Sequence, residues 1–340
     1  MRALLAALLA ALALPALDAP AEAQNLNEVF RRANPSVVVI RARGRDVSNT
    51  GITRFSETGS GVLISADGKV MTAAHVVNAM DEVTVEAMGG ERVAATIVAS
   101  EPAADLSLLQ LARVPPGMQA AKMADSRAVR VGDQVIVIGA PYGLAHSMSA
   151  GWISARWPPN TVYKSMPLAE FFQTTATINT GNSGGPMFNM AGDVIGIVSH
   201  NISKSGGSEG LGFVVTINTA KKLLLERKSF WTGIDGTMLT GELAAIFNLP
   251  EPAGFLVKTV AQGSSGWDMG LLGGDKIATI GGQQIAVGGD IILSVDGMPV
   301  GSDDNVEKIR SKLATSPQGT PFTMKVLRAG KIVELSGKTQ

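Results

Sequence analysis

The sequence predicts a mainly β protein in which a barrel or sandwich of short strands precedes a small α+β domain. Three observations carry that expectation. From Ser36 onward, short β-rich runs are broken by Gly, Pro and Asn, without the long helical spacers of a βαβ repeat. Near Asn218 the pattern gives way to a helix, and beyond Lys228 Gly-rich loops surround a few strands and two short helical stretches. At 340 residues the chain is also longer than one ordinary core supports, which favours two domains. The expected division is a signal segment at 1–23, a first domain at 24–228 and a second at 229–340.

The elements follow in order. Arg2 opens a positive start, Ala3 to Leu14 are all Ala or Leu, and Ala21-Glu22-Ala23 has the small-x-small form that a signal peptidase accepts. A cleaved export signal is expected, and a periplasmic or secreted location with it. An uncleaved anchor competes, but the apolar run falls short of the roughly 20 residues that span a bilayer. Strands are expected at Ser36–Ala42, Gly61–Ile64, Lys69–Thr72, Val83–Glu86, Arg92–Ala99, Gln134–Ile138, Val194–Ser199 and Gly212–Ile217. The helix at Asn218–Arg227, with Asn218 as N-cap, closes the first domain. In the second domain, helices are expected at Gly241–Phe247 and Asp303–Leu313. The latter carries Ser302 as N-cap and Val306, Ile309 and Leu313 along one face.

Lys plus Arg equals Asp plus Glu, 29 against 29, so no net field draws nucleic acid, and no nucleic-acid partner is expected. Peripheral association with a membrane stays compatible with the sequence. There is no cysteine, hence neither a disulfide nor a lipid-modified cysteine. Three scattered histidines make no zinc site and no nucleotide motif is present, so neither metal nor cofactor is expected.

The residues that carry chemistry begin with Gly181-Asn182-Ser183-Gly184-Gly185-Pro186, a glycine-dense turn around one hydroxyl. Acyl transfer needs such a turn because backbone N–H groups must point at the oxyanion, and bulky neighbours would block close approach. In Thr72-Ala73-Ala74-His75-Val76-Val77 a histidine follows an apolar strand end, where a neutral imidazole can take the serine proton. His146 and His200 lack such a setting. Asp105 opens Leu106-Ser107-Leu108-Leu109-Gln110-Leu111, where an unpaired charge would be costly; it is the candidate carboxylate for orienting the imidazole. The order His75, Asp105, Ser183 is that of the chymotrypsin-like double β-barrel, not of subtilisin or the α/β-hydrolases.

Gly59-Ser60-Gly61-Val62-Leu63-Ile64, the TAAHVV and ADLSLLQL runs, Phe172-Gln173-Thr174 and GNSGGP together resemble the HtrA (Deg) family in order and form. The resemblance implies a serine endopeptidase that acts without ATP on unfolded or damaged proteins. It implies His75 as general base, Asp105 as its orienter, Ser183 as nucleophile, and the N–H groups of Gly181 and Ser183 as the oxyanion hole. Thr175 and Thr180 depart from the family's usual residues and bear on the activation loop. A homotrimer is the family's habit, typically through aromatic residues near the mature N-terminus, where Phe30 is the only one between Gln24 and Arg54. In chymotrypsin-like enzymes the residue six before the nucleophile lies at the base of the pocket for the residue being cut. Here that is Thr177, with Ile178 beside it, so cleavage after small or medium aliphatic residues is expected. Ile197, Val198 and Ser199 are expected along the cleft.

Gly210-Leu211-Gly212-Phe213 spells a loop associated with PDZ carboxylate binding, but the barrel still needs its last strands there. The better match is Trp231-Thr232-Gly233-Ile234, which resembles the family's aromatic-x-Gly-Ile loop. It implies a PDZ domain that takes peptide C-termini by β-augmentation of the strand at about Ile234–Leu239 against the 303–313 helix. Gly288-Gly289-Asp290-Ile291 resembles a PDZ strand entry, while Gly273-Gly274-Asp275-Lys276-Ile277 reads as an insertion. A latent protease acting as a holdase-like chaperone or peptide sensor is the alternative function.

Overall fold

The computed structural model describes residues 25–227 and 229–339. The export signal expected at 1–23 therefore lies outside the described residues. The described residues open with a helix that the sequence does not announce, α1 (Leu26–Ala33), capped by the Asn25 side chain on Asn27 N–H. Strands β1 (Val37–Ser48), β2 (Gly51–Leu63), β3 (Lys69–Thr72), β4 (Met80–Glu86), β5 (Arg92–Glu101) and β6 (Leu106–Leu111) follow, with a one-turn helix α2 (Ala74–Val77) after β3. They close into a barrel in the order β1-β2-β3-β6-β5-β4. A second set, β7 (Gln134–Gly139), β8 (Ser147–Trp157), β9 (Phe171–Thr174), β10 (Pro186–Asn189), β11 (Val194–Asn201) and β12 (Gly212–Thr216), closes in the order β10-β11-β12-β9-β8-β7. Closure leaves neither barrel an exposed edge. The expected double barrel is the fold observed.

Side-chain alternation along the strands builds three cores from the two barrels. On β6, Leu109 and Leu111 fill the first barrel with Val38, Ile40 and Val85, while Leu106 and Leu108 point the other way. On β7, Val135 and Val137 fill the second barrel, while Ile136 and Ile138 point out of it. Those outward faces meet between the barrels, with Phe171, Phe188 and Phe213. Both faces of the central strands are thus buried, which is why these runs read as apolar rather than alternating.

After β12 comes a helical segment, and here the structure corrects the sequence reading. The segment begins as α3 (Ile217–Ala220) with Thr216 as N-cap, and continues as a π-helical turn at Lys221–Glu226, where Arg227 N–H reaches back five residues to Lys222 O. Asn218 sits inside the segment. Its side chain accepts from Ser126 N–H and donates to Asp125, a tertiary brace rather than a cap.

The remainder forms an antiparallel sheet with flanking helices: β13 (Ile234–Thr240), α4 (Gly241–Ile246), β14 (Ala253–Val260), α5 (Ser265–Asp268), β15 (Lys276–Ile280), β16 (Gln283–Val287), β17 (Ile291–Val295), β18 (Met298–Pro299), α6 (Asp303–Thr315), β19 (Pro321–Arg328) and β20 (Lys331–Lys338). The sheet runs β13-β14-β17-β19-β20, with β18 beside β17, and β15 and β16 make a separate hairpin. That hairpin holds the insertion at Gly273–Ile277. Ser302 caps α6 as the sequence implies, its hydroxyl accepting from Asn305 N–H. The Gly-Asp-x-Ile entry has a physical basis: fully buried Asp290 takes two 2.7 Å hydrogen bonds from Arg328 and one from Leu272 N–H.

This sheet docks on the first barrel. Trp231 is buried in the first barrel's core cluster, and its indole N–H donates to Asn78 O at 2.8 Å. Asn78 Nδ2 donates to Ile234 O at 3.0 Å, and Arg227 pairs with Glu307 at 2.9 Å. Among the described residues, no helix is long and apolar enough to cross a membrane.

Candidate active site

His75 stands on α2, the single turn that follows β3. Asp105 ends a short turn just before β6 and sits in the left-handed region at φ 54°. The short side chain of Asp tolerates that backbone better than most residues do. The two meet closely: His75 Nδ1 lies 2.9 Å from Asp105 Oδ1 and 3.0 Å from Oδ2, and the His75 backbone N–H donates to Oδ1 at 3.0 Å. Asp105 is buried while the His75 ring is half exposed, so one nitrogen faces the carboxylate and the rest of the ring faces the cleft.

The electrostatics follow from that packing. Burial alone would push the Asp105 carboxyl up, but the bonds from His75, from Ser199 and from the His75 backbone outweigh it and hold it below the ordinary carboxylate value. Burial alone would lower His75; the hydrogen bond and charge of Asp105 outweigh that and raise it.

Ser183 lies in the turn before β10. Of the five N–H groups from Gly181 to Gly185, three are bonded within the chain: Asn182 to Asn179 O, Gly184 to Val198 O and Gly185 to Asn182 O. Those of Gly181 and Ser183 make no hydrogen bond among the described residues. Both peptides flanking Gly181 are pinned, since Tyr142 N–H donates to Thr180 O at 2.8 Å and Ser60 Oγ donates to Gly181 O at 2.7 Å. In a trans peptide the N–H points opposite the carbonyl, so the Gly181 N–H is aimed away from Tyr142. Gly181 has φ +99°, and a Cβ there would meet Ala140 O at 2.2 Å, so the turn tolerates only glycine.

Ser183 Oγ donates to Ser199 O at 3.2 Å, and no hydrogen bond joins it to His75. The structure thus brings His75 and Asp105 together directly and leaves the serine hydroxyl turned to the neighbouring strand. Hydroxyl rotors and resting sites commonly tighten only around substrate.

Other expected cleft residues are distributed differently. The side chains of Ile197, Val198 and Ser199 are fully buried: Ile197 between the barrels, Val198 inside the second barrel, and Ser199 against Asp105. What β11 offers Ser183 is its backbone, through Ser199 O. Thr177 is exposed and its carbonyl is held by Ser149 Oγ, whereas Ile178 is buried in the second barrel's core. In the C-terminal sheet, Trp231 is tied to the first barrel, and Thr232 O and Gly233 O accept from Gly266 and Ala261 N–H.

Two roles escaped the sequence reading, that of Ser60 and that of the Ser199 hydroxyl, although Ser199 itself was expected along the cleft. Ser60, fully buried on β2, donates to Gly181 O, accepts from Ala140 N–H and gives its own N–H to Ser183 O. Its signal was the glycine before it, which leaves room for α2 and for the Ser183 turn: a Cβ on Gly59 would meet Val76 at 2.7 Å and Ser183 O at 3.0 Å. Ser199 Oγ donates to Asp105 Oδ2 from 94 residues away, a contact without local signature.

Comparison with known proteins agrees with this fold. A family model for the trypsin-like peptidase domain matches residues 59–197. The periplasmic serine endoprotease DegP of Escherichia coli is 33% identical over 294 residues, covering 84% of this chain and 58% of that protein. The periplasmic pH-dependent serine endoprotease DegQ of Escherichia coli is 32% identical, over 86% of this chain and 61% of that protein. A probable periplasmic DegP-like serine endoprotease of Pseudomonas putida is 36% identical, over 74% and 53%. The chain thus spans about half to three fifths of the length of these curated relatives. Among solved structures, the HtrA-type protease AlgW with a decapeptide is 27% identical with a TM-score of 0.53, covering 92% of this chain and 97% of that one. AlgW with a tripeptide is 29% identical at the same TM-score, covering 92% and 95%. The structural likeness therefore runs past residue 197 into the C-terminal sheet, and with the sequence likeness it shows that the chain belongs to the HtrA family.

Proposed function

We propose that the chain is a periplasmic serine endopeptidase that cuts unfolded polypeptides without ATP. Ser183 attacks the scissile carbonyl and His75 takes its proton, later passing it to the leaving amine. Asp105 holds the imidazole in the correct tautomer and stabilises the imidazolium. The Gly181 and Ser183 N–H groups receive the oxyanion. One observation carries this reading: a buried carboxylate grips His75 beside a turn whose two unpaired N–H groups flank the nucleophile's residue. A periplasmic location rests on the names of the relatives DegP and DegQ.

The C-terminal sheet is proposed as a PDZ domain for peptide C-termini, with Trp231, Thr232, Gly233 and Ile234 as its carboxylate loop. A groove of about 400 Å³ between β13 and α6, floored by Ile234, Met238, Val306, Ile309 and Leu313, supports this. β13 is the end strand of its sheet, open to an added strand. The AlgW structures are of that protease with a decapeptide and with a tripeptide. The first domain is proposed to end near residue 228. A homotrimer remains part of the proposal, although Phe30 packs its ring against this chain's own core between the barrels.

A second reading, a latent protease that mainly holds or senses peptides, is favoured by the Ser183 hydroxyl lying on Ser199 O. The deciding experiment is β-casein digestion by the mature protein and by Ser183→Ala in parallel, with mass spectrometry of the cut sites. Digestion by the wild type alone, after small or medium aliphatic residues, is expected. Digestion by both proteins overturns the nucleophile. Digestion by neither, even with C-terminal peptides added, moves the latent reading ahead.

A further inference from the structure

One histidine outside the proposed triad is wired to it. On β11 the register with β12 shifts between Val198 and His200, so Ser199 is an extra, unpaired residue of a β-bulge. Adjacent side chains of a regular strand point to opposite faces, and a bulge re-aims them. Here the bulge brings the Ser199 hydroxyl and His200 Nδ1 within 2.9 Å of each other, with Ser199 Oγ also on Asp105 Oδ2. His200 is held where it is by aromatic rings. It stacks on Phe213 at 5.5 Å, and Tyr163 packs against it in a T-shaped arrangement with centroids 4.1 Å apart.

Counting protons settles the direction of this chain. Asp105 is an ionised carboxylate and can only accept. Ser199 has one hydroxyl proton, and that proton goes to Asp105. His200 Nδ1 must therefore carry a hydrogen and donate it to Ser199 Oγ. Nε2 is then the bare nitrogen, and it lies buried without a hydrogen-bond partner.

We infer that His200 is a positioning residue for catalysis, whose Nδ1–H locks the Ser199 hydroxyl onto Asp105 and so fixes the carboxylate that orients His75. This rests on the proposed triad. Donation into Ser199 Oγ polarises its O–H and strengthens its bond to the carboxylate, as hydrogen bonds in series do. The ionisable groups facing His200 are Asp105 and His75 from the first barrel and Tyr163 from the loop before β9. Burial pushes the His200 imidazole down to about 4, Asp105 works against that and His75 with it, so the ring is neutral while the enzyme works.

The test combines activity with a direct reading of the tautomer. His200→Phe keeps the stacked ring and removes the donor; kcat is expected to fall about fivefold, the weight of one hydrogen bond, with KM unchanged. His200→Asn retains an N–H donor and is expected to recover most of the rate. Without the polarised hydroxyl, Asp105 becomes more basic and favours protonated His75, so the acid limb of kcat/KM in His200→Phe moves to higher pH. The double variant Ser199→Ala/His200→Phe is expected to be no slower than Ser199→Ala alone, because the two act as one unit. A wild-type rate in His200→Phe, or losses that multiply in the double variant, overturns the inference. Should His200→Phe not fold, nitrogen NMR of labelled histidine in Ser183→Ala decides, with only three rings to assign. Nδ1–H with bare Nε2 is expected for His200, and the opposite tautomer refutes the relay. If His75→Ala and Ser183→Ala still digest casein, the triad itself fails; if both are inactive while His200→Phe is normal, only the relay does.

Discussion

Replacing Ser60 by alanine deletes one oxygen that belongs to neither the nucleophile nor its base, yet both stability and rate are expected to fall. Ser60 Oγ makes two hydrogen bonds, 2.7 Å to Gly181 O and 2.9 Å from Ala140 N–H, in a site with no solvent exposure. The truncation leaves a buried carbonyl and a buried N–H unpaired. At about 1–3 kcal/mol for each orphaned group, and allowing for relaxation, the loss is roughly 2–4 kcal/mol of unfolding free energy. The catalytic effect follows from geometry. Gly181 donates one of the two proposed oxyanion bonds, and losing such a donor outright costs about 10²–10³ in kcat. Tyr142 N–H still pins the preceding carbonyl, so the donor is loosened rather than removed, and about a tenfold fall in kcat at nearly constant KM is expected. Urea unfolding gives the first quantity, and initial rates on a fluorogenic peptide give the second. A variant that loses stability but keeps kcat would show that Ser60 does not position the oxyanion turn.

Three further outcomes are expected. Because His75 is raised by Asp105 and must be neutral to act as base, kcat/KM should climb with pH through an apparent pKa above the ordinary imidazole value. Asp105→Asn removes the charge but not the burial, so the limb should move to lower pH while kcat falls by about 10³–10⁴; rates from pH 5 to 9 on both proteins check the sign. Asp290→Ala leaves Arg328 without its carboxylate partner, and because that side chain is 29% exposed the cost should lie near the low end for broken buried pairs, about 3 kcal/mol in chemical denaturation. Asn78 Nδ2 occupies Ile234 O at the start of the proposed peptide-accepting edge, so Asn78→Ala in the Ser183→Ala background should bind a C-terminal decapeptide about fivefold more tightly. Unchanged affinity in titration calorimetry would remove Asn78 as a competitor for that edge.

Local chemistry made much of this protein legible without its structure. The glycines of the Ser183 turn answer a steric demand written into consecutive residues: a Cβ on Gly184 would meet Thr72 Oγ1 at 2.1 Å, and its φ is +81°. Strand β3 coincides with the expected Lys69–Thr72, and Ser302 caps α6, because propensity and capping act within a few residues. The order of the three motifs was enough to choose among barrel and sheet folds. Tertiary structure decided the rest. Ile197 and Val198 look like cleft residues in a linear reading, but strands packed between two barrels bury both faces, and alternation cannot say which core each side chain enters. Asn218 has the chemistry of a cap, yet a partner at Ser126, far back in the chain, took its side chain. Ser60, Ser199 and His200 gain their roles only when barrel closure and one bulge bring residues scores of positions apart within hydrogen-bond reach. A contact of that kind costs loop-closure entropy and leaves no periodic mark, so no window of sequence could hold it.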